Sequence, residues 1–166
     1  MDDRKKKPQD YRTYGQGRSV RLPAVSYNSV GAVVMITACT EDRSAAFADP
    51  GVAQIVFDTW REAVPHAGHR LWALCVMPDH LHALIENASA AVSIDACVGR
   101  AKSFTLTRLR GKAVLYWQAK FNDHVLRPDE DPRVRTRYVA DNPVRAGLVD
   151  DWAAWRWTYL DPEAGL

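Results

Sequence analysis

Hydrophobic and polar positions change rhythm several times along this chain, and each change marks an element. Residues 1–28 mix basic, aromatic and polar side chains without a period and read as an irregular arm with little to bury. From residue 31 to 40 a nearly unbroken apolar and β-branched run predicts a strand buried on both faces. Asp42-Arg43 turns the chain, and Asp49-Pro50 opens a helix in which Val52, Ile55, Val56, Thr59, Trp60 and Ala63 recur at three and four. That helix should end near residues 65–68. Residues 69–77 and 80–86 read as strands with only Pro78-Asp79 between them, hence as a tight antiparallel pair. A second helix begins near Ser93, with Ile94, Cys97, Val98, Ala101, Phe104, Thr105 and Leu109 as its buried stripe and Gly111 closing it. Residues 113–126 hold a further strand and a turn. Asp131-Pro132 then opens a short helix through Tyr138, which must stop by Asn142 because Pro143 follows.

The order β-α-β-β-α-β, followed by an extra helix, is a split βαβ arrangement. It predicts an α+β, ferredoxin-like fold: an antiparallel sheet with both main helices on one face, plus an additional C-terminal helix. The third strand is expected in mid-sheet, and the sheet's other face is expected to be free for ligand. The main domain spans residues 29–150, between the arm at 1–28 and a tryptophan-rich extension at 151–166 expected to pack on it.

Composition adds boundaries. The 166 residues, 47% hydrophobic and 25% charged, suit one soluble domain with a single core. No apolar run approaches the roughly 20 residues of a membrane helix, and the polar start lacks a signal-peptide core. Cys39, Cys75 and Cys97 lie among apolar neighbours and read as buried free thiols of a reducing cytoplasm, not as a redox or zinc site. The net charge of +2 conceals clustering. Seven Arg and Lys, Arg18 and Arg21 among them, precede Leu22 against three Asp, and Arg100, Lys102, Arg108, Arg110 and Lys112 form a second group with no acid between them. Clustered positive charge fits a polyanion partner, while a solvated tail and a solvated helix face account for either cluster taken alone.

The chemistry is concentrated in the third strand. With a side-chain period of two, His80, His82, Leu84 and Glu86 share one face, and Leu81, Ala83 and Ile85 the other, buried one. Two imidazoles on neighbouring same-face positions, roughly 6.5–7 Å apart at the backbone, can grip one metal ion. On the short helix Tyr138 and Asn142 are four residues apart and share a face with Val134. His124 reads first as a packed histidine beside Val125, and Glu86 as a neighbour of the ligands, not a ligand.

The run Val76-Met77-Pro78-Asp79-His80-Leu81-His82 resembles the HUH signature (histidine, hydrophobic, histidine) of single-tyrosine transposases. The run from Arg137 to Val149, containing Tyr138, Asn142 and Arg145, is similar to the nucleophile helix of their REP-associated branch. The segment from Tyr116 to Arg127 is also similar to that branch. The resemblance covers about residues 18–160. It implies His80 and His82 as metal ligands, Asn142 as a polar third ligand and Tyr138 as the attacking residue, on a ferredoxin-like fold that cuts single-stranded, hairpin-forming DNA. The phenol of free tyrosine titrates near 10, so its phenolate is scarce at neutral pH, and a cation that polarises the phosphate would help its attack. Two imidazoles and an amide suit Mg²⁺ or Mn²⁺ better than Zn²⁺. Arg18, Arg21, Lys102, Arg108, Arg110, Lys112 and Arg145 become candidate contacts to single-stranded or hairpin DNA, fixing affinity and not sequence. The long arm and the tryptophan-rich end favour a monomer over a homodimer. Two other readings stay open: a nucleic-acid-binding module without chemistry, and a small metallohydrolase using an activated water with Tyr138 in the core.

Overall fold

The computed structural model describes residues 29–88 and 91–164. Its five-stranded sheet has the order β4-β1-β3-β2-β5, and every pairing is antiparallel. The strands are β1 (Val33–Cys39), β2 (Arg70–Met77), β3 (His80–Glu86), β4 (Asn122–Val125) and β5 (Thr158–Leu160). The histidine strand β3 is central, as expected. Pro78-Asp79 makes the two-residue connection, with Met77 opposite His80.

Two helices cover one face. In α1 (Pro50–His66) the Asp49 carboxylate accepts from the amides of Gly51 and Val52 at 2.8 and 3.0 Å, and Pro50 occupies the first turn. In α2 (Ile94–Leu109) the Ser93 hydroxyl accepts from the Ala96 amide at 3.2 Å. Their apolar stripes meet Val34, Ile36, Ala38, Leu74, Val76, Leu81, Ala83 and Ile85 in the main core, around the fully buried Trp60. Phe104 departs from the predicted stripe and is 48% exposed, because it lies on the flank of the stripe defined by Ile94, Val98, Ala101 and Thr105.

The opposite face is not left free. The short helix α3 (Pro132–Ala140), capped by the Asp131 carboxylate, lies against it, and α4 (Asn142–Arg145) follows after one residue. Val139 of α3 is fully buried with Val33, Ala73, Cys75, Met77 and Leu84 in a second, smaller core. The cause is visible in the strands: this face of β1, β2 and β3 carries too many apolar side chains to stand in water. His80 and His82, on the same face, are partly buried.

The tryptophan-rich end contributes the edge strand β5 beside β2. Trp157 enters the main core, and the Trp155 indole donates to the Val76 carbonyl at 2.8 Å. All three cysteines are free and buried, as expected. Among the described residues no helix is long and apolar enough to cross a membrane.

Candidate active site

Sheet register fixes the histidines. Thr37 of β1 and Cys75 of β2 flank His82, and Cys39 and Met77 flank His80, so both rings rise from the centre of the sheet onto the α3 side. The two Nε2 atoms approach to 3.1 Å, with the rings edge to face at 88°. Each Nδ1 is held from behind: that of His82 by the Thr37 hydroxyl at 3.0 Å, that of His80 by the Asp79 carboxylate at 2.5 Å. Back-side contacts of this kind fix ring orientation in metal-binding histidines. Burial, followed by the positive charge of His80, Arg43 and Arg145, drives the His82 pKa down to about 3 against the opposing pull of Asp79. His82 is therefore a neutral imidazole, the form that ligates cations.

Asp79 is itself gripped. Burial alone would raise its carboxyl pKa, but the His80 ring and the Arg43 guanidinium reverse this and leave it below the usual range. Arg43 Nε meets Asp79 Oδ2 at 2.8 Å, and Arg43 Nη1 donates to the Cys39 sulfur at 2.8 Å. Arg43 reaches this position through an uncommon backbone, for Asp42 and Arg43 are both left-handed, with φ of 52° and 55°. Such geometry costs on the order of 1–2 kcal/mol per L-residue. Nothing in the sequence marks Arg43 beyond its place in a turn; its partner lies 36 positions away.

On the covering helix, Tyr138 is half-buried and the Arg145 guanidinium carbon stands 4.4 Å from the centre of its ring. The helix that carries Tyr138 packs against β2 and the histidine strand β3. Asn142 is buried, and its amide nitrogen donates to the carbonyls of Tyr138 and Val139 at 3.1 and 3.2 Å. That closes the last turn of α3 and leaves the amide oxygen as the atom able to ligate. Among the described residues no group of three or more His, Cys, Asp or Glu gathers to hold a metal. The atoms that could hold a divalent ion are the two imidazole nitrogens and the Asn142 amide oxygen. This is nitrogen-and-oxygen chemistry that leaves room for water and phosphate around a divalent ion.

A carboxylate outside the expected site seats α3. Glu130 accepts from His124 at 3.0 Å, from the Arg127 amide at 2.8 Å and from Arg135 of α3. His124 is therefore a structural residue of this junction. Glu86 lies at the far end of β3, accepting from the Trp72 indole at 2.8 Å.

The candidate DNA contacts divide. Lys102 donates to the Gln118 carbonyl at 2.9 Å and lies 5.7 Å from the ring centres of both Trp117 and Phe121, while Arg108 bonds to Glu62 and Thr59 across the two main helices. Arg110, Lys112 and Arg145 are exposed. Arg18 and Arg21 lie outside the described residues.

Comparison with known proteins follows the same outline. The family model "Transposase IS200 like" matches residues 29–124, a stretch that contains both histidines and ends before Tyr138. A Haemophilus influenzae protein named "Putative REP-associated tyrosine transposase" is 23% identical over 137 residues, covering 74% of this chain and 77% of the relative. A solved REP-associated tyrosine transposase bound to a REP hairpin superimposes with a TM-score of 0.65 at 20% identity, over 78% of this chain and 77% of that one. At that identity the superposition speaks for the fold. With the model match running through β1 to β4 and both main helices, more than half of its length, the chain belongs to the IS200-like transposase family.

Proposed function

We propose that the protein is a metal-dependent single-strand DNA endonuclease and strand transferase, in the manner of REP-associated tyrosine transposases. Tyr138 is its nucleophile, hairpin-forming DNA its substrate, and the cytoplasm its place of action. The observation that carries this reading is that Tyr138, with the Arg145 guanidinium 4.4 Å from its ring centre, sits on the helix packed against β2 and the histidine strand β3. A pure binding module needs neither the tyrosine nor the paired imidazoles in one neighbourhood. A metallohydrolase with Tyr138 in the core would not leave that ring half-exposed beside an arginine. Further support comes from the solved relative that is bound to a REP hairpin.

In the proposed reaction the Tyr138 oxygen attacks the scissile phosphorus and gives up its proton to solvent. The bond from phosphorus to the 3′ oxygen breaks, leaving a 5′-phosphotyrosine and a 3′-hydroxyl that takes a proton from solvent. Because the phosphodiester energy is retained in the new ester, another 3′-hydroxyl can reverse the step and join strands. Mg²⁺ or Mn²⁺, held by His80 and His82 with the Asn142 oxygen, would polarise the phosphate and offset its developing charge. Arg145 orients the phenol and offers a guanidinium to a phosphate oxygen. Exposed Arg110 and Lys112 extend the cationic surface along the backbone. The seating of α3 on its own sheet supports a monomer.

The test is incubation with single-stranded hairpin DNA and Mn²⁺, followed by denaturing electrophoresis. The wild-type protein should give a conjugate resistant to denaturation, a chelator should prevent it, and Tyr138→Phe should abolish it while hairpin affinity stays within about twofold. A conjugate formed by Tyr138→Phe refutes the assignment.

A further inference from the structure

We propose that the Arg43–Asp79 pair is a positioning device for His80: it holds the ring with Nδ1 against the carboxylate and so turns Nε2 toward the Nε2 of His82. The chain of contacts starts at the carboxylate. Asp79, paired with Arg43, accepts, so at 2.5 Å from its Oδ1 the His80 Nδ1 is the donor, and the ring's Nε2 faces that of His82 at 3.1 Å. Arg43 Nη2 stands 3.5 Å from the same Nδ1, a far weaker claim on it. The second carboxylate oxygen is taken by Arg43 Nε at 2.8 Å, and Arg43 is steadied in turn by the Cys39 sulfur. The turn beneath is pinned as well, since the amide and the hydroxyl of Thr40 both donate to the Asp79 carbonyl, at 3.0 and 2.9 Å.

The backbone of Arg43 is the second, independent observation. A left-handed arginine following a left-handed aspartate is not what an ordinary surface turn selects. Strain of this sort persists where the surroundings hold it and clusters at functional sites. Here the unusual φ delivers a guanidinium to the carboxylate behind a candidate ligand. Carboxylates placed behind ligating histidines orient the ring, and losing them lowers metal affinity by roughly 10–100-fold. The functional consequence rests on reading His80 as a ligand; the geometry of the ring does not.

The experiment is ¹⁵N NMR of the histidine side chains in the metal-free protein, with His80 assigned by its loss in His80→Gln, combined with Mn²⁺ titration. In the wild type, His80 should carry its proton on Nδ1. Asp79→Ala should move that proton to Nε2 and weaken Mn²⁺ binding about 10–100-fold. Arg43→Gly separates positioning from structure: glycine accepts the left-handed backbone, so the melting temperature should hold or rise while Mn²⁺ affinity falls. A wild-type His80 with no proton on Nδ1, or a protonation pattern unchanged in Asp79→Ala, overturns the inference. Equal Mn²⁺ affinity in Arg43→Gly and wild type removes Arg43 from it. A wild-type protein that binds no Mn²⁺ refutes the metal reading of the site, while the tautomer in the metal-free protein still decides this inference.

Discussion

Glu130 offers the most direct measurement of what seats the tyrosine helix. Its carboxylate joins β4, the following turn and α3 through His124, the Arg127 amide and Arg135. Burial would raise its pKa, but the Arg127 amide, Arg135 and His124 together override it and hold the value at about 2. Against an ordinary Glu near 4.3, that is equivalent to about 3 kcal/mol of stability at neutral pH, at 1.36 kcal/mol per unit. Solvent reaches this surface cluster and screens it, so about 1–2 kcal/mol is the working expectation. The sign follows from the direction of the shift. A carboxylate whose pKa is depressed by folding contributes fully above its unfolded value and loses that contribution as pH falls toward the folded one. Glu130→Gln should therefore be less stable than wild type by about 1–2 kcal/mol at pH 7. The gap should narrow below about pH 4 and close near pH 2. Urea unfolding of both proteins at pH 7, 4 and 2.5 measures it, provided the transitions remain two-state. Equal stability at pH 7, or a gap that persists undiminished at pH 2.5, refutes the electrostatic account of how α3 is held.

Two further outcomes test the surroundings of the site. Val139→Ala removes two buried carbons from the seat of α3 and should cost about 1.5–2.5 kcal/mol by chemical denaturation, slowing conjugate formation more than it weakens hairpin binding. Replacing Arg110 and Lys112 together by Ala should weaken hairpin binding and flatten its dependence on salt by about one unit of slope for each phosphate no longer neutralised, whereas Arg108→Ala should lower stability and leave the salt slope alone, because Arg108 is already bonded to Glu62 and Thr59.

Much of this arrangement was legible in the sequence, because periodicity and turn chemistry act locally. The three- and four-residue recurrence behind Asp49-Pro50 and the two-residue break at Pro78-Asp79 sufficed to place α1, β2 and β3, and alternation put both histidines on one face. What stayed hidden depends on partners distant in the chain. Nothing near Arg43 announces Asp79, and nothing near Glu130 singles it out from the acids around it. Three residues of β5 among tryptophans show no alternation, and they become a strand only because the edge of β2 is there to pair with them. The cover over the second face follows the same logic. The apolar residues at Val33, Met35, Ala73, Cys75, Met77 and Leu84 were each visible, but the need for a helix above them appears only when register brings them together.

Burial also explains why the site has the charge it has. It keeps His82 neutral, so that imidazole contributes a lone pair and no positive charge of its own. Arg43 and Arg145 bring positive charge to it, and among the described residues the carboxylate acting on it, Asp79, is already offset by Arg43. A chain with a net charge of only +2 thereby places a guanidinium, without an ion-pair partner among the described residues, beside the Tyr138 phenol. A site built this way attracts an anion before any metal is considered. Phosphate chemistry, not generic cation binding, is what such a balance of charges favours.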